Sequence, residues 1–155
     1  MELQGVNLDV MTNQPVIILR DGEDKKLLPI WIGQFEAQAI LMEIQGIQPP
    51  RPLTHDLLRN VIERLKGSVE KVRINELRGG TFFATIDVKV NAETLAIDSR
   101  PSDAIALAVR LKVPIFAEEA VLEQAGIPAG LTEEEEVNRF REFLNDVGPE
   151  DFGNQ

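Results

Sequence analysis

The sequence predicts a single α+β domain in which a mixed or antiparallel sheet packs with helices. Three observations carry that reading. The chain has 155 residues, 43% of them apolar, which is enough for one hydrophobic core and too few for two comfortable ones. Three apolar runs between Val69 and Asp98 follow one another across short polar turns, as antiparallel strands do. Two well-signalled helices, one after Leu53 and one after Arg100, interrupt the strands.

Taken in order, Leu3–Val10, Pro15–Arg20 and Leu27–Ile32 read as strands, joined by turns at Thr12–Pro15 and Asp21–Asp24. Pro29 places the third of them at an edge or an irregularity. A helix over Gln34–Gln45 carries two apolar faces, Phe35, Ala39 and Met42 against Ala37, Leu41 and Ile44, with Glu36 on a flank, where it reads as a solvated residue more readily than as a buried acid. Two faces need two partners, so a homo-oligomer, a dimer first, is expected.

The stiff stretch Gly46–Pro52 precedes a helix whose N-cap is expected at Thr54 and whose C-cap is expected at Gly67. Its core stripe reads Leu57, Leu58, Val61, Ile62 and Leu65. Val69–Leu77, Thr81–Val90 and Thr94–Asp98 form the strand series, with Gly79-Gly80 as a tight hairpin turn. Pro101 opens a central buried helix, since a first-turn residue needs no N–H. Val113–Phe116 is a short strand and Glu118–Ala125 a short helix. A last helix follows Thr132, bringing the domain to residues 1–147 and leaving 148–155 as a flexible acidic tail.

Composition removes whole classes of chemistry. With no cysteine there is no disulfide, thiolate metal site or cysteine nucleophile, and with one histidine no histidine-rich site. The start lacks an export signal and no apolar run is long enough to span a bilayer, so a cytoplasmic protein without membrane partners is expected. The net charge of −10 is uneven: Glu118 onward holds 11 acids against Arg139 and Arg141, a net of −9, while residues 1–117 carry −1. No basic track with interleaved aromatics is present.

Polar chemistry concentrates at the corner Asp98-Ser99-Arg100-Pro101-Ser102-Asp103, where strand meets helix. Asp103 reads as a helix-start residue or as a functional acid. His55 sits at the edge of its helix's apolar stripe with Asp56 pointing away; it reads as a proton shuttle or as a boundary residue bonded to backbone.

Three segments, Leu28-Pro29-Ile30-Trp31-Ile32-Gly33, Arg51-Pro52-Leu53-Thr54-His55-Asp56-Leu57 and Ile97-Asp98-Ser99-Arg100-Pro101-Ser102-Asp103-Ala104-Ile105, together resemble the bifunctional nuclease domain family. Val113–Phe116 extends the resemblance, which covers roughly residues 3–145. It implies an α+β domain and, through plant members acting on both DNA and RNA, a nuclease. Phosphodiester hydrolysis needs an activated water, charge stabilisation at phosphate and a proton for the leaving oxygen. On that basis Asp98 and Asp103 are candidates to hold Mg2+ or Mn2+ or to activate water, and His55 with Asp56 to move protons. Arg51, Arg100 and Ser102 are candidates for substrate binding. The scheme requires the starts of the His55 and Asp103 helices to meet. The competing reading is a non-catalytic oligomeric binding or regulatory module, whose polar corners only cap helices or hold a small anion.

Overall fold

Turn and cap chemistry sets the path of the chain, and the computed structural model describes residues 1–22 and 26–128 of it. The first three strands, β1 (Glu2–Leu8), β2 (Pro15–Arg20) and β3 (Lys26–Trp31), form an antiparallel meander. Helices α1 (Gln34–Ile44) and α2 (Thr54–Arg64) follow. Next come β4 (Gly67–Arg78), β5 (Thr81–Val90) and β6 (Glu93–Ser99), then α3 (Pro101–Leu111), β7 (Ile115–Ala117), α4 (Glu119–Ala125) and β8 (Ile127–Pro128). The expected α+β class holds, with the strands divided between two four-stranded sheets, β1-β2-β3-β8 and β6-β5-β4-β7. All pairings are antiparallel except β4 with β7, which the α3 crossover makes parallel.

Pro29 sits within β3, and among the described residues β8 pairs with Lys26 and Leu27, short of the proline. Gly79 and Gly80 have φ of 58° and 78°, the positive values a two-residue hairpin loop requires. The expected helix after Thr132, the tail 148–155 and part of the turn after β2 lie outside the described residues.

One hydrophobic core joins the sheets through α1 and α3. Helix α3 runs through its middle, and Ala104, Ile105, Ala106 and Leu107 are fully buried. Arg110, which falls on the helix side left over by the apolar pattern, is buried as well, because its charge is matched from two neighbouring helices. Among the described residues no helix is long and apolar enough to cross a membrane.

Helix α2 departs from expectation at both ends and along most of its face, where of the expected stripe only Ile62 packs against the core. Leu53, not Thr54, occupies the N-cap position: Asp56 at the third helical position accepts the Leu53 N–H at 3.0 Å, one half of a capping box. At the other end Lys66 takes the left-handed conformation, φ 66°, and Gly67 opens β4 instead. A Cβ on Gly67 would lie 3.0 Å from Ile62 Cγ2 and 3.1 Å from the Ile62 carbonyl oxygen, so close approach of helix and strand sets that position. The expected core stripe is exposed at Leu57, Leu58, Val61 and Leu65. His55 and Ile62, seven residues apart and hence on one face, turn inward.

Candidate active site

Three helix starts converge on one cavity of about 570 Å³ lined by residues 35, 36, 38, 39 and 42 of α1, 52–55 at the start of α2, and Arg100 and Asp103 at the start of α3. His55 faces inward because its neighbour Asp56 is tied down. Asp56 takes the Leu53 N–H with one oxygen and Arg110 Nε with the other, at 2.8 Å. Arg110 also donates to the carbonyls of Ala106 at 2.9 Å and Ala39 at 3.1 Å, so a single buried guanidinium joins α1, α2 and α3. Burial pushes the Asp56 carboxyl up, but the Leu53 N–H and the Arg110 charge outweigh it and hold the group below its usual range.

Two residues 48 positions apart in the sequence meet in the cavity lining. His55 Nε2 lies 2.9 Å from Asp103 Oδ1, which meets the requirement that the two corners come together. The other oxygen, Asp103 Oδ2, accepts Arg100 Nε at 2.9 Å, and Arg100 Nη2 donates to Glu36 Oε1 at 2.9 Å. The His55 hydrogen bond and the Arg100 charge hold the Asp103 carboxyl below its usual range despite burial, and its two carboxylate partners hold the Arg100 guanidinium protonated against burial. An ionised Asp103 only accepts hydrogen bonds, so the hydrogen on this contact belongs to His55 Nε2. The lone pair of neutral His55 is then on Nδ1, which is buried with no hydrogen-bond partner among the described residues. A buried nitrogen left without a partner costs about 1–3 kcal/mol.

The other candidates lie elsewhere. Asp98 is on β6 opposite Thr85, which in turn is opposite Arg73, whereas Ala84, Ile86 and Val72 carry the buried face of the same strands. Cross-strand neighbours share a face, so Asp98 is on the outer side of the sheet, exposed and away from the cavity lining. Ser102 is buried within α3 and is not in the lining; Arg51 is exposed just ahead of Pro52, which is. For a divalent ion the donor set does not fit: both Asp103 oxygens are committed, Arg100 brings a cation beside them, and Asp98 is not within the cavity. Among the described residues no three His, Asp or Glu side chains gather as a metal-holding group.

The sequence does not assign Glu36 or Gly33 to the site. Of the two readings of Glu36 the less favoured, a buried acid, is nearer: its side chain is only 17% exposed and it anchors Arg100. A Cβ on Gly33 would overlap Glu36 Oε2, so the glycine at the start of α1 makes room for that carboxylate. The signal available was the glycine three residues before a glutamate at a helix start. Of the two apolar faces expected of α1, Phe35, Ala39 and Met42 line the cavity; on the other, Ala37 is buried beside Ile40 in the core, whereas Ile44 is exposed.

Known proteins are similar to this chain in sequence. The chain is 48% identical over 157 aligned residues to an uncharacterised protein of Mycobacterium tuberculosis, covering 96% of this chain and 94% of that one. It is 33% identical over 129 residues to bifunctional nuclease 2 of Oryza sativa subsp. japonica, covering 80% of this chain and 39% of the plant protein. Bifunctional nuclease 1 of Arabidopsis thaliana matches at 31% over 117 residues, 72% of this chain and 36% of its own. The sequence profile of the bifunctional nuclease domain covers residues 17–130, taking in every element from β2 to β8, and with it the chain belongs to the bifunctional nuclease domain family.

Proposed function

We propose that the chain hydrolyses phosphodiester bonds of DNA or RNA at the His55–Asp103–Arg100 cavity. The observation that carries this reading is the 2.9 Å contact between His55 Nε2 and Asp103 Oδ1 inside that cavity, in a chain of a family with plant members named bifunctional nucleases. His55, whose Nδ1 is buried, fixes the Asp103 carboxylate by donating from Nε2, and Asp103, 30% exposed, is the base suited to take a proton from an attacking water. Arg100, 45% exposed and braced by two carboxylates, is the group placed to meet phosphate charge, with Arg51 as a second contact at the rim. Asp56 serves as a positioning residue through Arg110.

Cleavage of labelled single- and double-stranded DNA and RNA by highly purified protein tests the proposal, with Mg2+, Mn2+ and EDTA arms reading the divalent-ion requirement. Asp103→Asn and His55→Gln are expected to lose about 10²–10⁴ in rate, the ordinary worth of a positioned proton-transfer group. Asp98→Ala should cleave as the parent does. Activity equal in all variants would place hydrolysis elsewhere, and no cleavage under any condition would leave the binding-module reading.

The same proposal includes a homodimer. It is supported by the exposed apolar stripe of α2, Leu57, Leu58, Val61 and Leu65, which a second copy can cover. Light scattering on the eluted protein reads the mass directly; a monomer at high concentration would refute it.

A further inference from the structure

We infer that the cavity beside His55 and Asp103 seats one unpaired nucleobase against the ring of Phe35, which makes single-stranded nucleic acid the preferred substrate class. The inference rests on the phosphodiester reading above and narrows its substrate. Phe35 stands in the first turn of α1 and is 83% exposed, though a buried phenylalanine elsewhere would add to the core. Its ring belongs to the cavity lining together with the apolar Met42, Pro52 and Leu53. One aromatic face at the edge of an apolar recess is the arrangement on which single-stranded nucleic acid stacks its bases.

Size and charge point the same way. A cavity of about 570 Å³ accommodates a nucleoside-sized group, not a double helix, and in a duplex the base faces are already stacked on one another. Glu36 and Asp103 outnumber Arg100 in the lining. An uncharged base meets no charge repulsion from those carboxylates. The exposed part of Arg100 then meets the phosphate at the mouth, which sets the scissile bond beside the histidine pair. Gln38 in the lining offers both a donor and an acceptor to a base edge, a combination that every base can use. Low sequence preference follows.

The test is fluorescence anisotropy of the full chain in EDTA with labelled 12-nucleotide single strands of DNA and RNA and with the matching duplexes, each recovered strand checked for integrity. Single strands are expected to bind about tenfold more tightly than duplex, and Phe35→Ala to lose about tenfold of that affinity, the scale of one base–aromatic stack. Phe35→Tyr, which keeps the ring, should restore it. Because Phe35 is exposed, the variants should melt with the parent, so a loss of affinity is not a loss of fold. Equal binding of duplex and single strand, or indifference to Phe35→Ala, overturns the inference. So does a change in self-association as the sole effect of Phe35→Ala, which would give the ring to a second copy. Cleavage is read separately: Phe35-dependent binding without cleavage keeps the base seat and ends the hydrolysis reading. Asp103-dependent cleavage with Phe35-independent binding does the reverse.

Discussion

Arg110 Nε reaches Asp56 Oδ1 at 2.8 Å behind the cavity, and this contact fixes the spacing between the two helices that bring His55 to Asp103. The Arg110 side chain is 2% exposed and that of Asp56 14%, so Arg110 has no bulk water as an alternative partner and Asp56 has little. Buried pairs of this kind add little over apolar packing when intact, but losing one partner leaves the other charge stranded.

Arg110→Ala is therefore expected to destabilise the fold by about 3–5 kcal/mol. In a domain of this size that lowers the melting temperature by roughly 10 °C, read by circular dichroism. Arg110→Lys should recover little of the loss, because one ammonium cannot serve Asp56 and the Ala106 and Ala39 carbonyls in the geometry of a planar fork. A melting temperature within two degrees or so of the parent in both variants would show that the three-helix junction does not depend on this side chain.

Acid should unfold the protein partly through Asp103. Its folded carboxyl titrates below the ordinary value of 3.8, chiefly because His55 hydrogen-bonds the charged form, with Arg100 adding to the effect. A depressed folded value means that the stabilisation is complete above 3.8 and disappears as the pH falls through the lower folded value. Asp103→Asn should accordingly be less stable than the parent at about pH 6, and the gap should close toward about pH 2. Urea titrations at both ends of that range measure it. A gap that stays constant with pH would mean that the asparagine loses packing rather than charge.

Most of the element order was legible in the sequence because turns and caps act locally. Pro101 opens α3 where its ring allows, Gly79-Gly80 turns the β4–β5 hairpin, and Pro15–Arg20 and Thr81–Val90 have the predicted strand limits. The meeting of His55 with Asp103 was anticipated as a requirement, from chemistry alone. What stayed hidden depends on distant partners. Glu36 is 64 positions from Arg100 and Arg110 is 54 from Asp56, so no window of sequence contains either pair. Asp98 failed to join the cavity for a different reason. Strand alternation assigns it to a face, and which face is covered depends on where α3 folds back. The stripe on α2 misled because an amphipathic pattern states that a face is apolar without saying whether this chain covers it.

Gly33 offers a way to loosen the site without touching its charges. The glycine has an ordinary extended conformation, φ −71° and ψ 155°, so alanine fits the backbone there without strain. Its Cβ, however, would overlap Glu36 Oε2, and the carboxylate at the end of a flexible side chain must swing away. Arg100 then loses its Glu36 anchor and keeps Asp103. Gly33→Ala should cost less than about 1 kcal/mol of stability, since nothing in the core moves. Its effect on substrate affinity should match that of Glu36→Gln, which weakens the same anchor from the other side. Combined in one protein, the two changes should be markedly less than additive, because each removes an interaction that the other has already lost. Additive losses in such a cycle would show that Gly33 acts on the helix start itself and not through Glu36.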